Sequence, residues 1–230
     1  MGYLGEGLSE ALGLIAAFDR EFASIVGVSL RVAGTSTALA TAAAVPVGIA
    51  VAESHFRGRQ MVITLLNTLM SLPTVLVGLL VYSFISRQGP LGDLGLLYTQ
   101  SAMVFGQALL AFPIIAGLVL ASVASLDRRV RVTATALGAD GRQSFRVLLR
   151  EARFGILAAV VAGFGRVFAE VGISMMLGGN IRHYTRNITT AIALETSKGD
   201  FALGIALGIV LLAVALVVNV ALGLLRHREA

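Results

Sequence analysis

Five long apolar stretches separated by short polar segments dominate the pattern of this chain, at residues 22–52, 61–86, 102–126, 154–177 and 201–225. Each reaches the ~20 largely apolar residues that a helix needs to cross a bilayer, so the pattern predicts five transmembrane helices. Ahead of them, Leu8, Ala11, Leu12, Ile15 and Phe18 recur at helical spacing with acids beside them. Gly7 to Phe18 is therefore expected to lie along the interface as an amphipathic helix. Pro46, Pro73 and Pro113 fall inside apolar stretches, where a proline bends a helix and frees carbonyls that neighbours must satisfy. Pro90 falls in a turn with Gly89 and Gly92. Between the third and fourth stretches, residues 127–153 carry seven arginines.

Composition agrees with the pattern. Of 230 residues, 57% are hydrophobic and 13% charged, and the mean hydropathy is +0.86, which is too apolar for an ordinary soluble domain. No Pro/Gly/Ser linker or internal repeat divides the chain, so it reads as a single membrane domain over 1–230. The net charge of +5 points to membrane topology rather than nucleic acid, because its location is biased. Eleven of the 18 basic residues fall in the loop with Arg57 and Arg59, in 127–153 and in the tail with Arg226 and Arg228, all on one side if the spans alternate. The positive-inside rule makes that side cytoplasmic, with the N-terminus out and the C-terminus in. Glu6, Glu10, Asp19 and Glu21 make the region before the first span acidic, unlike a cleaved signal peptide. With no cysteine, and His55, His183 and His227 all in loops, there is no thiolate metal site, and an intramembrane enzyme would lack its nucleophile and base.

Three places carry candidate chemistry. Arg166 and Glu170 are four residues apart within the fourth stretch, where one helical face would let them pair. Charges at that depth are costly and mark either a hydrated path or a buried pair that locks helices together. The same face continues through Gly155, Ala159, Gly163 and Ser174, small residues that admit a close neighbour. Beyond it, Gly178-Gly179-Asn180-Ile181-Arg182-His183-Tyr184-Thr185-Arg186 reads either as an anion-attracting outer mouth or as a capped helix end followed by a solvated loop. Ser29, Thr35, Ser36, Thr37 and Thr41 in the first stretch are expected to bond their own backbone carbonyls. In the arginine-rich segment, Thr133, Ala134, Leu137, Gly138, Ala139 and Asp140 form a small-residue helix end suited to a helix–turn–helix knob that docks on a partner. Anionic lipid head groups are the alternative partner for its arginines.

That segment resembles the EAA loop of ABC importer permeases. Gly138 and Ala134 fit the motif, Val132 stands in place of its glutamate, Thr133 in place of its first alanine, Leu148 in place of its isoleucine, and Arg150-Glu151 in place of its Leu-Pro. The later series Gly165-Arg166-Val167-Phe168-Ala169-Glu170-Val171-Gly172, then Gly178-Gly179-Asn180-Ile181-Arg182, then Thr189 through Phe201, is similar to the permeases of tungstate importers, a branch near the molybdate permeases. Leu72-Pro73, Gly89-Pro90-Leu91-Gly92 and Phe112-Pro113-Ile114 fit the same branch. The resemblance implies an all-α ABC importer permease fold and a homodimer forming the channel for tungstate, molybdate or another oxyanion in a prokaryotic cell membrane. It implies two copies of a cytoplasmic ATPase as partners, with ATP bound there and no cofactor in this chain, and an extracytoplasmic oxyanion-binding protein. By the same resemblance Thr133 to Asp140 form the coupling helix, Arg166, Glu170 and Gly172 lie near the pathway, and Asn180 with Arg182 lie near its outer mouth. A secondary transporter or anion channel would account for the intramembrane charges but not for the docking knob.

Overall fold

The computed structural model describes residues 11–13, 15–17, 20–54 and 56–227, and every described element is helical. In chain order these are α1 (Arg20–Glu53), α2 (Arg59–Met70), α3 (Thr74–Ile85), a 3₁₀ turn (Gly92–Leu94), α4 (Gln100–Ala124), α5 (Arg128–Ala136), α6 (Gly141–Glu151), α7 (Arg153–Phe168), α8 (Gly172–Gly178), α9 (Ile188–Lys198) and α10 (Phe201–His227). Of the expected interfacial helix, residues 7–10, 14 and 18 lie outside the described residues; 11–13 and 15–17 are helical, with Ala11 buried.

Three of these helices, α1, α4 and α10, are long and apolar enough to cross a membrane unaided. The other two apolar stretches are each two helices. α2 and α3 meet at 98°, and α7 and α8 at 60°. The first break has a local cause. Pro73 has no N–H and disfavours helical backbone at Leu72, so α2 closes with Ser71 N–H on Thr68 O at 3.1 Å and α3 begins from Pro73 at φ −59°. By contrast Pro46 and Pro113 are accommodated within α1 and α4.

The core is the seam between α1 and α4, with α7 laid against both. Ala33, Ala40, Ala44 and Ile49 of α1 join Ala108, Ala111, Ile115, Ala116 and Val119 of α4 in one buried cluster. Small residues set the spacing. A Cβ on Gly48 would lie 2.7 Å from the Ala116 carbonyl oxygen and 2.9 Å from Val119, and one on Gly163 of α7 would lie 2.6 Å from Ile115. In membranes such close backbone approach replaces the hydrophobic drive that water supplies to soluble cores. A second cluster forms where Val77, Val81 and Ile85 of α3 and Leu110 of α4 enclose Ile173 and Leu177 of the short α8.

The hydroxyls of the first stretch divide. Ser29, Thr35 and Ser36 donate to the carbonyls of Ile25, Arg31 and Val32 at 2.9, 2.6 and 2.6 Å, as expected for hydroxyls in membrane helices. The buried Oγ1 atoms of Thr37 and Thr41 have no partner among the described residues.

Chain contacts assign the loops to two ends. Tyr98 N–H donates to Leu177 O at 2.8 Å, and Arg186 reaches Glu21 at 3.2 Å, which gathers residues 20–21, 87–100 and 178–187 at one end. At the other, Arg59 Nε donates to Val51 O at 2.9 Å and Ala52 shares a cluster with Leu148 and Ala152. Because a Cβ at Gly48 meets backbone that cannot step aside, Gly48→Leu is expected to force α1 from α4 and destabilise the fold by about 1–3 kcal/mol. A lowered midpoint in thermal unfolding of the detergent-purified protein checks it; an unchanged midpoint would show that this seam does not limit stability.

Candidate functional site

The charges that the sequence sets four apart meet across a helix break rather than along one helix. Arg166, in the last turn of α7, donates from Nη1 to Glu170 Oε2 at 3.0 Å, while Glu170 Oε1 accepts the Ile173 N–H at the start of α8 at 3.2 Å. The cation thus sits at a helix C-terminus and the carboxylate at a helix N-terminus, each facing the dipole end that favours it. Glu170 is 3% exposed and the Arg166 side chain 42%, so the carboxylate is held inside the chain and the guanidinium is open to its surroundings. Gly172 makes the tight return feasible, since a Cβ there would already be 3.3 Å from Glu170 Oε1 and from Val75.

The break also takes the Glu170 carbonyl out of the helical ladder. It accepts from the hydroxyls of Thr189 at 2.7 Å and Ser174 at 3.3 Å. Ser174 Oγ in turn accepts from Gln107 Nε2 of α4 and Asn187 Nδ2, both at 2.9 Å, which fills its hydrogen-bonding capacity. Asn187 Oδ1 caps α9 by accepting the Thr190 N–H at 2.9 Å, and Ser29 Oγ of α1 accepts the Ile188 N–H at 2.7 Å. All of these residues are buried, so one polar seam runs from α1 through α4 and α8 to the start of α9. Sequence reasoning picks out Arg166, Glu170 and Ser174 but passes over Gln107, Asn187 and Thr189. The available signal is Gln107 itself, a lone amide in the middle of an apolar span where an unpaired polar group is costly.

The loop after α8 is closed on itself. Gly179, Asn180 and His183 have φ of +69°, +52° and +62°. Ile181 N–H donates to Thr185 Oγ1 at 2.9 Å, Thr185 Oγ1 donates to Gly178 O at 2.5 Å, and Asn180 Nδ2 donates to Thr190 O at 3.4 Å. Arg182 forms a two-pronged pair with Glu21, and Arg186 Nη1 reaches the same carboxylate at 3.2 Å. Glu21 precedes the apolar run that starts at Phe22. The Arg182 hydrogen bond holds its carboxyl below the usual carboxylate range, partial burial opposes this, and the charges of Arg182, Arg186 and His183 add to the lowering. Asn180 and Arg182 therefore tie this loop to α9 and α1, in the geometry of a capped helix end.

At the opposite end α5 and α6 form a knob. α5 closes with Gly138 at φ +77° and Ala139 N–H on Ala134 O at 3.0 Å, the six-to-one bond of a Schellman turn. Asp140 then starts α6 with a reciprocal cap, accepting the Gln143 N–H at 2.7 Å while its own N–H donates to Gln143 Oε1 at 2.8 Å. Phe145 and Leu148 of α6 face the core. Thr133, Val132, Leu137 and Gly138 are exposed, Leu137 at 82%. The leucine stands beside a glycine turn with open space around it, which leaves the tip of the knob apolar and uncovered. No group of three or more metal-ligating side chains occurs among the described residues.

Residues 44–229 match the family described as "Binding-protein-dependent transport system inner membrane component". The chain is 40% identical over 219 residues to the tungstate uptake system permease protein TupB of Peptoclostridium acidaminophilum, covering 95% of this chain and 96% of that one. It is 36% identical to the TupB of Campylobacter jejuni, covering 95% and 92%. Among solved structures it is similar to an inward-facing MetNI methionine ABC transporter, with a TM-score of 0.73 at 17% identity over 90% of this chain and 94% of that one, a likeness of fold.

Since Arg166 is half open and can rehydrate, losing its partner should cost less than the 3–5 kcal/mol of a fully buried pair. Glu170→Ala, which also uncaps α8, is expected to destabilise by about 2 kcal/mol, and Glu170→Gln, whose amide oxygen can still accept the Ile173 N–H, by about half of that. Thermal unfolding of the purified variants checks the order; equal losses would mean that the charge pair, not the cap, holds the break.

Proposed function

Because this chain belongs to the family of binding-protein-dependent transport system inner membrane components, we propose that it is the channel-forming permease subunit of an ATP-driven oxyanion importer, with tungstate as its substrate. The observation that carries the reading is the similarity to tungstate permeases over 95% of the chain. It is a multi-pass inner-membrane protein, oriented with the Glu21, Arg87 and Arg182 end outside and the α5–α6 knob in the cytoplasm, where the arginine bias of the loops favours it.

In this reading two copies of the chain enclose the pathway, and a separate extracytoplasmic protein delivers the anion to the outer end. ATP is hydrolysed by two copies of a cytoplasmic ATPase. The knob from Thr133 to Asp140 docks on that ATPase, and exposed Leu137 is its leading contact. Its closure is carried through α6 and α7 to the break at Glu170, where Arg166 and Gly172 adjoin the pathway. Support for a docking role comes from the contrast within the knob, whose inner face is anchored in the core while its tip carries an apolar side chain with nothing covering it. Molybdate is the first alternative substrate, being a tetrahedral dianion of the same charge.

Reconstitution in liposomes with the ATPase and the binding protein tests the reading. ATP-dependent uptake of tungstate well above that of molybdate or sulfate is expected; equal uptake would reduce the conclusion to an oxyanion importer, and flux without ATP would replace it with a channel or secondary carrier. Leu137→Glu is expected to abolish copurification of the ATPase while shifting stability by no more than about 0.5 kcal/mol, as for other exposed positions. It is a cleaner probe than Gly138→Trp, because any side chain at φ +77° also strains the turn. Undiminished copurification of the Leu137→Glu variant would remove this leucine from the interface.

A further inference from the structure

The outer end holds a cavity of about 540 Å³ lined by Tyr82, Ser86, Arg87, Gln88, Gly95 and Tyr98, among others. Adjoining it is a second of about 600 Å³, which shares Tyr82 and Tyr98 and is otherwise lined by Leu79, Met175, Met176, Gly179 and Ile181. No acidic side chain lines either, and Arg87 is the one cation that lines them. The cations of the neighbouring loop are engaged elsewhere, Arg182 and Arg186 with Glu21 and Lys198 with Glu195 at 2.9 Å. Arg87 makes no ion pair or side-chain hydrogen bond among the described residues.

The backbone around this cavity is fixed. Gly89 and Gly92 press against the last carbonyls of α3, where a Cβ would overlap Ser83 O, Phe84 O and Ser86 O, and Leu91 N–H donates to Phe84 O at 2.9 Å. Tyr98 has φ +65°, rare for so bulky a residue and maintained only where the surroundings impose it. They do so through the Tyr98 N–H bond to Leu177 O at 2.8 Å and by seating the ring on Gly179, where a Cβ would lie 2.7 Å from Tyr98 Cδ1. The strained backbone sets the ring between the two cavities, both of which it lines.

We propose that the first cavity is an intake subsite for a tetrahedral oxyanion, with the Arg87 guanidinium as the group that contacts the anion and Tyr98 as the wall it shares with the second. The proposal rests on the oxyanion-importer reading above. A guanidinium presents parallel N–H donors that match two oxygens of such an ion, and a concave site with no carboxylate concentrates anions. The cavity is roomy enough for an anion that keeps part of its water, so the site suits brief capture after delivery rather than tight storage.

The test uses the reconstituted complex with ATPase and binding protein, comparing wild type, Arg87→Gln and Arg87→Lys. Tungstate imported per ATP hydrolysed is expected to fall about tenfold in Arg87→Gln, the loss of one charge-assisted contact, and to recover in part in Arg87→Lys. Docking of the binding protein and its stimulation of ATP hydrolysis should not change. Weakened docking would overturn the proposal in favour of a contact between Arg87 and the binding protein, and an unchanged import ratio would overturn it outright. Failure of the wild-type complex to import any oxyanion would sink the underlying reading instead, which keeps the two outcomes apart.

Discussion

The rest of the bundle depends on how one carbonyl, that of Glu170, is satisfied after its helix breaks in an apolar interior. In water the broken ladder would be repaired by solvent. At membrane depth each orphaned group costs several kcal/mol, so the repair has to come from the protein. Thr189 and Ser174 provide it, and Gln107 and Asn187 hold Ser174 in place, drawing on α8, α4 and the first turn of α9. The outcome is a four-element junction whose members cannot move independently, at the point where α7 gives way to α8. Apolar packing around it, as between Gly163 and Ile115, is close but tolerant of sliding; the hydrogen bonds are what set register.

Much of the architecture is legible in the sequence, because span number and side bias follow from residue type alone. The three unbroken long helices sit within the apolar runs, and the turn at Gly138 is where a glycine after a small-residue helix should be. What was hidden depends on relations between distant residues. The break at Pro73 is readable as a proline, but not its 98° angle, which reflects α3 lying against α8. Nothing local announces that the helix bearing Arg166 ends at Phe168, since no proline or paired glycines mark it; Glu170 leaves the helix because Ile173, Thr189 and Arg166 offer it more than the helix does. In the same way, Arg182 and Arg186 look like free cations in one dimension and are bound to Glu21, more than 160 residues away, in three. Arg87, unremarkable as a sequence feature, is the one left lining a cavity.

The two ends of the bundle are finished in opposite ways. At the end that holds Glu21 and Arg182, loops are wound tightly, with left-handed residues at Tyr98, Gly179, Asn180 and His183 and the loop after α8 latched to α1. At the other end the arginines of α6 ride on an amphipathic helix whose apolar face, with Phe145 and Leu148, is sunk in the core, while Leu137 just past α5 is uncovered. The first finish suits a surface that must present a fixed shape to whatever arrives; the second suits one completed only by another protein.

Between the knob and the break the chain is helical except at Ala152, which closes α6 and opens α7. Ala152 N–H reaches Leu148 O and Ile156 N–H reaches Ala152 O, both at 2.8 Å, so the last bond of α6 and the first of α7 meet on this one residue without bridging the two helices. From Gly141 to Phe168 the chain is therefore two rods joined at one residue, α6 of 11 residues and α7 of 16, with one end exposed and the other at the polar junction. Leu148 and Ala152 are buried in the core cluster at this joint, so packing there governs how far the two rods can swing against each other. The joint, rather than the rods, therefore decides how much of a movement at one end is felt at the other.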